Sequence, residues 1–286
     1  MNYSALIENR RSVREFLDKK VADSTLAQIK EFYYENCRRL VPQLKTALLV
    51  FGSEAKEQLE GAAGYQSFLI GAPTYLVLLS EKSPLAALNA GYMMQDIALK
   101  LTQMDLGSCW ITFTDSDAVK QALKIESSLD VAAILAVGYG KKAPMRPRIN
   151  ILSMSNIDIK AKRRYMDPKK SLSQLVFLNT WGNRQGVDDY LGFFDDMLWE
   201  SLYAASLAPS YLNRQAYGFL LSEGSLQLVS TPDAYNTDHD RDLSLGIVML
   251  HFDAVAEKWN ASRDWSFFPE DTSLPEGFRA IARRAL

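Results

Sequence analysis

The densest chemistry in this sequence lies near its start, at Arg10-Arg11-Ser12-Val13-Arg14. Three guanidinium groups and one hydroxyl fall within five residues. A guanidinium presents a planar fork of donors that matches phosphate oxygens, and a serine hydroxyl adds one more bond. Val13 and Phe16 supply apolar side chains that would anchor the cluster to a core. The competing reading is a solvated basic face, the usual fate of an arginine-rich pentamer. A second constellation, Leu207-Ala208-Pro209-Ser210-Tyr211-Leu212-Asn213-Arg214-Gln215, lies in the other half of the chain. A helix that ends at proline and continues through serine and asparagine exposes amides able to bond the edge of a flat heteroaromatic ring. The same residue types also build ordinary connecting loops.

Other reactive side chains carry less. His239 sits among Asp238, Asp240 and Arg241 and reads as part of a solvated polar loop, with no second ligand set for a metal. His251 lies in an apolar helical stretch and reads as a core or interface residue. The two cysteines, Cys37 and Cys109, suggest neither a disulfide framework nor a metal motif. Cys109 precedes Trp110 in apolar surroundings, as a buried structural thiol does. No side chain is assigned as a nucleophile, a general base or a metal ligand.

The elements that must position these groups can be read from hydrophobic patterning. A helix is expected from Ser24 as its cap, with Leu26, Ile29 and Tyr33 on one face. Strands are expected at Thr46–Phe51, Tyr75–Leu79 and Val131–Val137, the last closed by Gly138-Tyr139-Gly140. Asn89–Met104 reads as a buried helix with Gly107 near its stop. Between Met145 and Lys170 the chain turns rich in Lys, Arg and Pro. A second structured run begins near Leu172. It holds a helix over Asp195–Leu207 ended by Pro209, a hairpin over Phe219–Val229 turning at Glu223-Gly224, and a helix over Leu245–Trp259. That last helix should present Val248, Phe252 and Val255 on one face. A shift of 155 positions lays Gly91 on Gly246, Met94 on Met249, Trp110 on Trp265 and Phe113 on Phe268. Together with the repeated order of strand then buried helix, these matches point to a degenerate internal duplication.

The bulk numbers bound the function. The chain has 286 residues, 48% hydrophobic and 23% charged, as an ordinary globular protein does. A net charge of -2 and a pI near 5.8 give no global field for nucleic acid, so phosphate binding must be local. No apolar run reaches the ~18–20 residues that a membrane helix needs. The start carries no apolar signal core and cysteines are few, so a cytoplasmic protein is expected.

Three motifs together resemble the nitroreductase family. Arg10-Arg11-Ser12-Val13-Arg14 is similar to that family's opening motif. Ala208-Pro209-Ser210 with Asn213-Arg214-Gln215 is similar to its flavin-edge motif. Asn89-Ala90-Gly91-Tyr92 followed by Leu106-Gly107-Ser108-Cys109-Trp110 resembles its buried central helix and the turn after it. Usual members are homodimers in which both subunits grip each flavin, and the Ala-Pro-Ser motif follows the first helix. Here that place holds Tyr34 to Pro42 without it, and the motif stands in the second half. The chain therefore resembles the subgroup in which two modules are fused into one pseudo-dimer.

The resemblance implies an α+β, nitroreductase-like fold of two degenerate α/β modules, 1–160 and 161–286. It implies one FMN per chain, with Arg10, Arg11, Ser12 and Arg14 on the phosphate and ribityl oxygens. Pro209, Ser210, Leu212 and Asn213 would line the ring. Lys169, before Lys170-Ser171-Leu172-Ser173-Gln174-Leu175-Val176-Phe177, is the candidate second phosphate ligand, with Arg163 and Arg164 as rivals. The pseudo-equivalent site should be empty. NAD(P)H would reduce the flavin, and a small acceptor such as a nitroaromatic or quinone would reoxidise it. A monomeric pseudo-dimer is expected, with further dimerisation open. Two departures touch the substrate pocket: Trp110-Ile111-Thr112-Phe113 where many members have glycine after Cys-Trp, and Ala216-Tyr217 where many have Pro-Trp. Crowding by Ile111-Thr112-Phe113 would favour the alternative of a non-catalytic flavin-binding or redox-sensing protein. A basic binding module using Arg10–Arg14 and Lys162–Lys170 on an anionic polymer is the third reading.

Overall fold

The computed structural model describes residues 1–66, 68–141, 146–153, 156–162, 168–187, 189, 196–222, 224–259 and 264–286. Arg163, Arg164, Asp195 and Glu223 lie outside the described residues. The first half runs α1 (Tyr3–Asn9), α2 (Asp23–Glu35), β1 (Thr46–Gly52), α3 (Ala55–Leu59), β2 (Thr74–Ser80), α4 (Ala86–Gln103), β3 (Gly107–Ile111), α5 (Ser116–Ala122) and β4 (Asp130–Gly138). An antiparallel hairpin of β5 (Arg146–Ser153) and β6 (Asn156–Lys162) follows. The second half runs α6 (Leu172–Leu175), β7 (Val176–Leu178), α7 (Asp196–Ser206), β8 (Tyr217–Ser222), β9 (Ser225–Ser230), α8 (Asp238–Ala256), β10 (Ser266–Phe267) and β11 (Arg279–Ala285).

The two sheets repeat one plan. In the first, strand order is β1-β2-β4-β3, every pair antiparallel. In the second, β8-β9-β11-β10 follows the same order with the same antiparallel pairings. β7 adds to the outer edge of β8 in parallel. In both sheets the long helix enters between the second and third strands in sequence, α4 in one and α8 in the other. The fold is thus α+β, built from two degenerate modules fused as an internal pseudo-dimer.

The central helices α4 and α8 pack on each other and are buried around most of their circumference, α4 from Leu88 through Leu99 and α8 from Leu243 through Ala256. Glycine sets their approach. A Cβ at Gly91 would overlap the Leu243 carbonyl, and one at Gly246 would overlap the Leu88 carbonyl. Gly246 follows Gly91, and Leu243 follows Leu88, by the same 155 positions. The sequence shift is therefore a pseudo-two-fold contact. Met94 and Met249 are equivalently buried, but Phe113 is 6% exposed where Phe268 is 44% exposed, so the last pair has diverged.

Three local expectations are corrected. Ser24 is not the cap of α2: Ala22 is, with no side-chain bond, and Asp23 supplies negative charge in the first turn. Gly107 does not stop α4; Asp105 takes the left-handed turn (φ 58°), and Gly107 opens β3. α8 begins at Asp238, ahead of the expected Leu245, because Thr237 caps it by accepting from Asp240 N. His239 therefore belongs to a helix, not a solvated loop. Its ring centroid lies 5.0 Å from that of Phe113, and burial holds its pKa below the usual histidine value.

Candidate cofactor site

Arg10 is where the chain leaves α1. Its N–H closes the helix on Leu6 O (2.8 Å), and its backbone turns extended. The following residues run beside the first sheet: Ser12 bridges Ser108, Val13 N donates to Ser108 O (2.9 Å), and Phe16 bridges Gly140. Val13 nests against Gly107 and Gly140, and Phe16 is buried. Both anchor the arginines, as their apolar character implies. Arg10 is 9% exposed, yet its Nε finds no hydrogen-bond partner and no carboxylate among the described residues pairs with it. Burial, helped by Arg11 and Arg14, pulls its pKa down to about 10. Arg11 is half-buried and donates to Glu8 O and Arg10 O, while Arg14 is exposed. Cys109 is buried and its thiol pKa is raised by that burial, against the charges of Arg14 and Arg10.

The second constellation forms a strained loop. α7 ends at Ser206, just before the segment that Pro209 makes non-helical. Leu212, Asn213 and Gln215 then take left-handed φ of 47°, 57° and 45°. Side chains with a Cβ rarely sit there; each such residue costs about 1–3 kcal/mol and persists only where its surroundings impose it. Here they do. Gln215 N donates to Ser210 Oγ (3.0 Å), and Tyr211 N to Ser244 Oγ on α8 (3.2 Å). Lys169 Nζ donates to Ala208 O (2.8 Å) and Asn213 Oδ1 (2.6 Å), and Asn213 Nδ2 donates to Pro168 O (2.9 Å). Pro209 is buried, Ser210 and Asn213 are half-buried, and Leu212 is 47% exposed.

The fold brings these groups from both halves to one region. The charges of Arg10 and Lys169 both act on His251, which is fully buried in α8. Desolvation pushes the His251 pKa down to about 3, so the ring is neutral. Its Nδ1 lies 2.9 Å from Ala204 O and its Nε2 lies 2.8 Å from Gln95 Nε2. That pattern assigns the proton to Nδ1 and makes Nε2 the acceptor. Tyr65, from the first half, meets Tyr211 edge-on with centroids 6.3 Å apart. Gln95 and Tyr65 were not singled out from sequence. Gln95 gives a usable signal, a polar side chain in an otherwise apolar helix; Tyr65 gives none, because only the fold carries it to Tyr211.

The loop at the pseudo-equivalent place, Asn36 to Pro42, is anchored in the same way: Val41 N donates to Asn89 Oδ1 (3.0 Å), and Asn89 precedes Ser244 by 155 positions. Its surroundings are filled with paired charge. Arg38 N donates to Asp96 Oδ2 (2.9 Å), Arg38 Nε donates to Tyr3 OH (2.9 Å), and the Arg38 guanidinium pairs with Glu257. Asp253 accepts from Arg284 (3.0 Å), Tyr92 OH (3.0 Å) and Trp265 Nε1 (3.0 Å). A separate cleft of about 400 Å³ opens beside the first turn of α8, between Lys82, Phe113, Ser116 and His239, and contains none of the candidate cofactor residues.

Two sheets of one plan, joined through a glycine-crossed helix pair, define an internally duplicated α+β protein whose candidate site draws on both modules. The family profile described as "Putative TM nitroreductase" matches residues 2–256, and the chain belongs to that family. A nitroreductase structure from Thermotoga maritima is similar over 98% of this chain and 93% of its own, at 20% identity and a TM-score of 0.56. An FMN-dependent nitroreductase from Clostridium difficile is similar over 48% of this chain and 87% of its own (22% identity, TM-score 0.42). An iodotyrosine deiodinase solved with FMN and 3-iodo-L-tyrosine is similar over 54% and 98% (22% identity, TM-score 0.41). Comparison with curated proteins finds no match. Among the described residues, no helix is long and apolar enough to cross a membrane.

Proposed function

We propose that the chain is an FMN-dependent oxidoreductase with one composite flavin site between its modules, 1–160 and 161–286. Arg10 carries the reading. A buried guanidinium without a neutralising carboxylate pays a desolvation penalty of several kcal/mol, and an anionic group beside it offsets that penalty. A phosphate monoester fits the donor set of Arg10, Arg11, Ser12 and Arg14, with Arg10 held by the α1 terminus and Arg14 exposed to meet an incoming ligand. The loop at Pro209, Ser210, Leu212 and Asn213 lies on the other module and would border the ring. Asn213 contributes there through loop shape, since both ends of its side chain bond within the chain.

Bound flavin would supply hydride exchange between NAD(P)H and a small acceptor such as a nitroaromatic or quinone. The protein's own share is to bind, orient and exclude water. The strained 212–215 backbone fixes one border of the site, and Tyr65 against Tyr211 closes the seam between modules. Neutral His251 keeps the buried region between Arg10 and Lys169 free of a further positive charge.

The test is the absorbance spectrum of the purified protein with quantification of released flavin. One FMN per chain is expected, together with NAD(P)H oxidation in the presence of a nitroaromatic or quinone. Colourless protein that takes up no FMN, or two FMN per chain, would overturn the single-site reading. Bound FMN without turnover would move the protein to the non-catalytic flavin-binding alternative.

A further inference from the structure

We infer that the outer edge of β1 is an interface, and that it pairs antiparallel with β1 of a second copy of this chain. The inference does not depend on the flavin reading. The two sheets follow one plan but end differently at this strand. β8, the counterpart of β1, has its outer edge covered by β7, with Val176, Phe177 and Leu178 opposite Phe219, Leu220 and Leu221. Tyr217 through Leu221 are buried. β1 stands at the edge of its own sheet, and among the described residues no strand pairs beyond it. Its Leu48 is buried, while the other residues of the strand are only half-buried.

An open edge invites another strand, and proteins guard such edges with charge, proline or a bulge. Thr46-Ala47-Leu48-Leu49-Val50-Phe51-Gly52 carries no charge and no proline, and it runs along β2 without a shift of register. Two contacts show which backbone groups face out. Lys45 O accepts from Glu81 N (2.9 Å), toward β2, whereas Gly52 N donates to Glu54 Oε1 (3.1 Å), away from it. Alternation along an antiparallel strand then turns the amides and carbonyls of Thr46, Leu48 and Val50 outward with Gly52.

Charge and register choose the occupant. Lys45 is exposed just before β1, and Arg39 donates to Thr46 Oγ1 (2.7 Å) at the same end. Glu54 is exposed just past the other end. Antiparallel pairing of two copies carries the cationic end of each strand to the acidic end of the other, twice in one self-complementary interface; parallel pairing would set like on like. A two-fold axis at Leu49 places Leu48 opposite Val50 of the second copy, so that their outward amides and carbonyls bond each other. It also sets Ala47 opposite Phe51, small against large. This contact is separate from the internal pseudo-two-fold through α4 and α8.

The experiment follows the mass of the full chain by sedimentation equilibrium and the hydrogen exchange of its β1 segment, both against protein concentration. A dimer is expected, with β1 gaining protection as concentration rises. Lys45→Glu should raise the dimer dissociation constant about tenfold, because both symmetry-related contacts turn repulsive. Lys45→Glu combined with Glu54→Lys should return it to within about threefold of wild type, because attraction is restored with its sign reversed. Val50→Pro removes an outward N–H and leaves the bonds to β2, so it should abolish the dimer. Circular dichroism checks that this variant folds, and the two surface charge variants decide the question if it does not. Wild-type protein that stays monomeric at every concentration overturns the inference. So does a dimer that Lys45→Glu leaves unchanged, or one that the second charge reversal does not restore.

Discussion

The interface between the modules has two corners related by the pseudo-two-fold, and they treat charge in opposite ways. At one, Arg38 meets Asp96, Tyr3 and Glu257, and Arg284 meets Asp253. At the other, Arg10 is equally buried and has no carboxylate partner among the described residues. The exchange can be followed on the central helices. Asp96 on α4 and His251 on α8 stand 155 positions apart, so an acid at the filled corner is replaced by a neutral imidazole at the other. Duplication supplied two equivalent places; one was closed with the chain's own ion pairs, and the other holds Arg10, a buried cation with no carboxylate partner among the described residues.

The sharpest way to break this comparison is to remove one charge from each corner and measure unfolding without cofactor. Asp253→Ala leaves Arg284 buried without its carboxylate and strips an acceptor from Tyr92 OH and Trp265 Nε1. Breaking a buried pair from one side costs about 3–5 kcal/mol, which should appear as a large fall in the denaturant midpoint. Arg10→Met in the cofactor-free protein should do the reverse, leaving stability unchanged or raising it by about 1 kcal/mol, because an unpaired buried charge is replaced by apolar volume. Equal destabilisation by both would mean that Arg10 is satisfied internally and that the corners are alike.

Loaded with cofactor, the same Arg10→Met variant sharpens the contrast. Charge-assisted hydrogen bonds are worth about 1.5–3 kcal/mol each, so FMN affinity should fall about tenfold to a hundredfold. Arg38→Met should leave affinity within about threefold, since the guanidinium it removes bonds to Tyr3 and Glu257 and a phosphate has no place between them. Fluorescence titration of free FMN reads both. Similar losses in the two variants would mean that the filled corner also takes part in binding.

Much of this was legible in the sequence, for identifiable reasons. β1, β2, β4, α4 and α7 follow from apolar runs and helical spacing, because burial on a sheet or between helices demands those patterns. The duplication was legible at Gly91 and Gly246, since close helix approach tolerates nothing larger. The arginine cluster and the Pro209–Asn213 loop stand out in the sequence by residue type and order, as candidates for a cofactor site. What stayed hidden depends on long-range contact. The start of α8 is fixed by Thr237 and Asp240, polar residues that look like loop. The docking of Lys169 on Asn213 joins segments far apart in sequence, and neither predicts the other. Closure of the filled corner needed Arg284 at one end of the chain to reach Asp253 in α8, and no local pattern announces that.

A pH-dependent effect is expected at His251, the neutral counterpart of Asp96. Its folded pKa is lowered from 6.5 to about 3 by burial, while an unfolded histidine titrates near its ordinary value. Below that ordinary value the unfolded chain binds a proton that the folded chain refuses. The contribution of His251 to stability is therefore full above about pH 6.5, falls by about 1.4 kcal/mol per pH unit as pH drops, and levels off once the folded-state pKa is passed. His251→Gln keeps a polar group near Ala204 O and Gln95 but cannot titrate. Its stability should vary less steeply than wild type between pH 6 and about pH 4, measured by urea unfolding at fixed ionic strength. Identical slopes would show that the imidazole takes up its proton within the fold, which would place a third positive charge beside Arg10 and Lys169 and erase the difference in charge that separates the two corners.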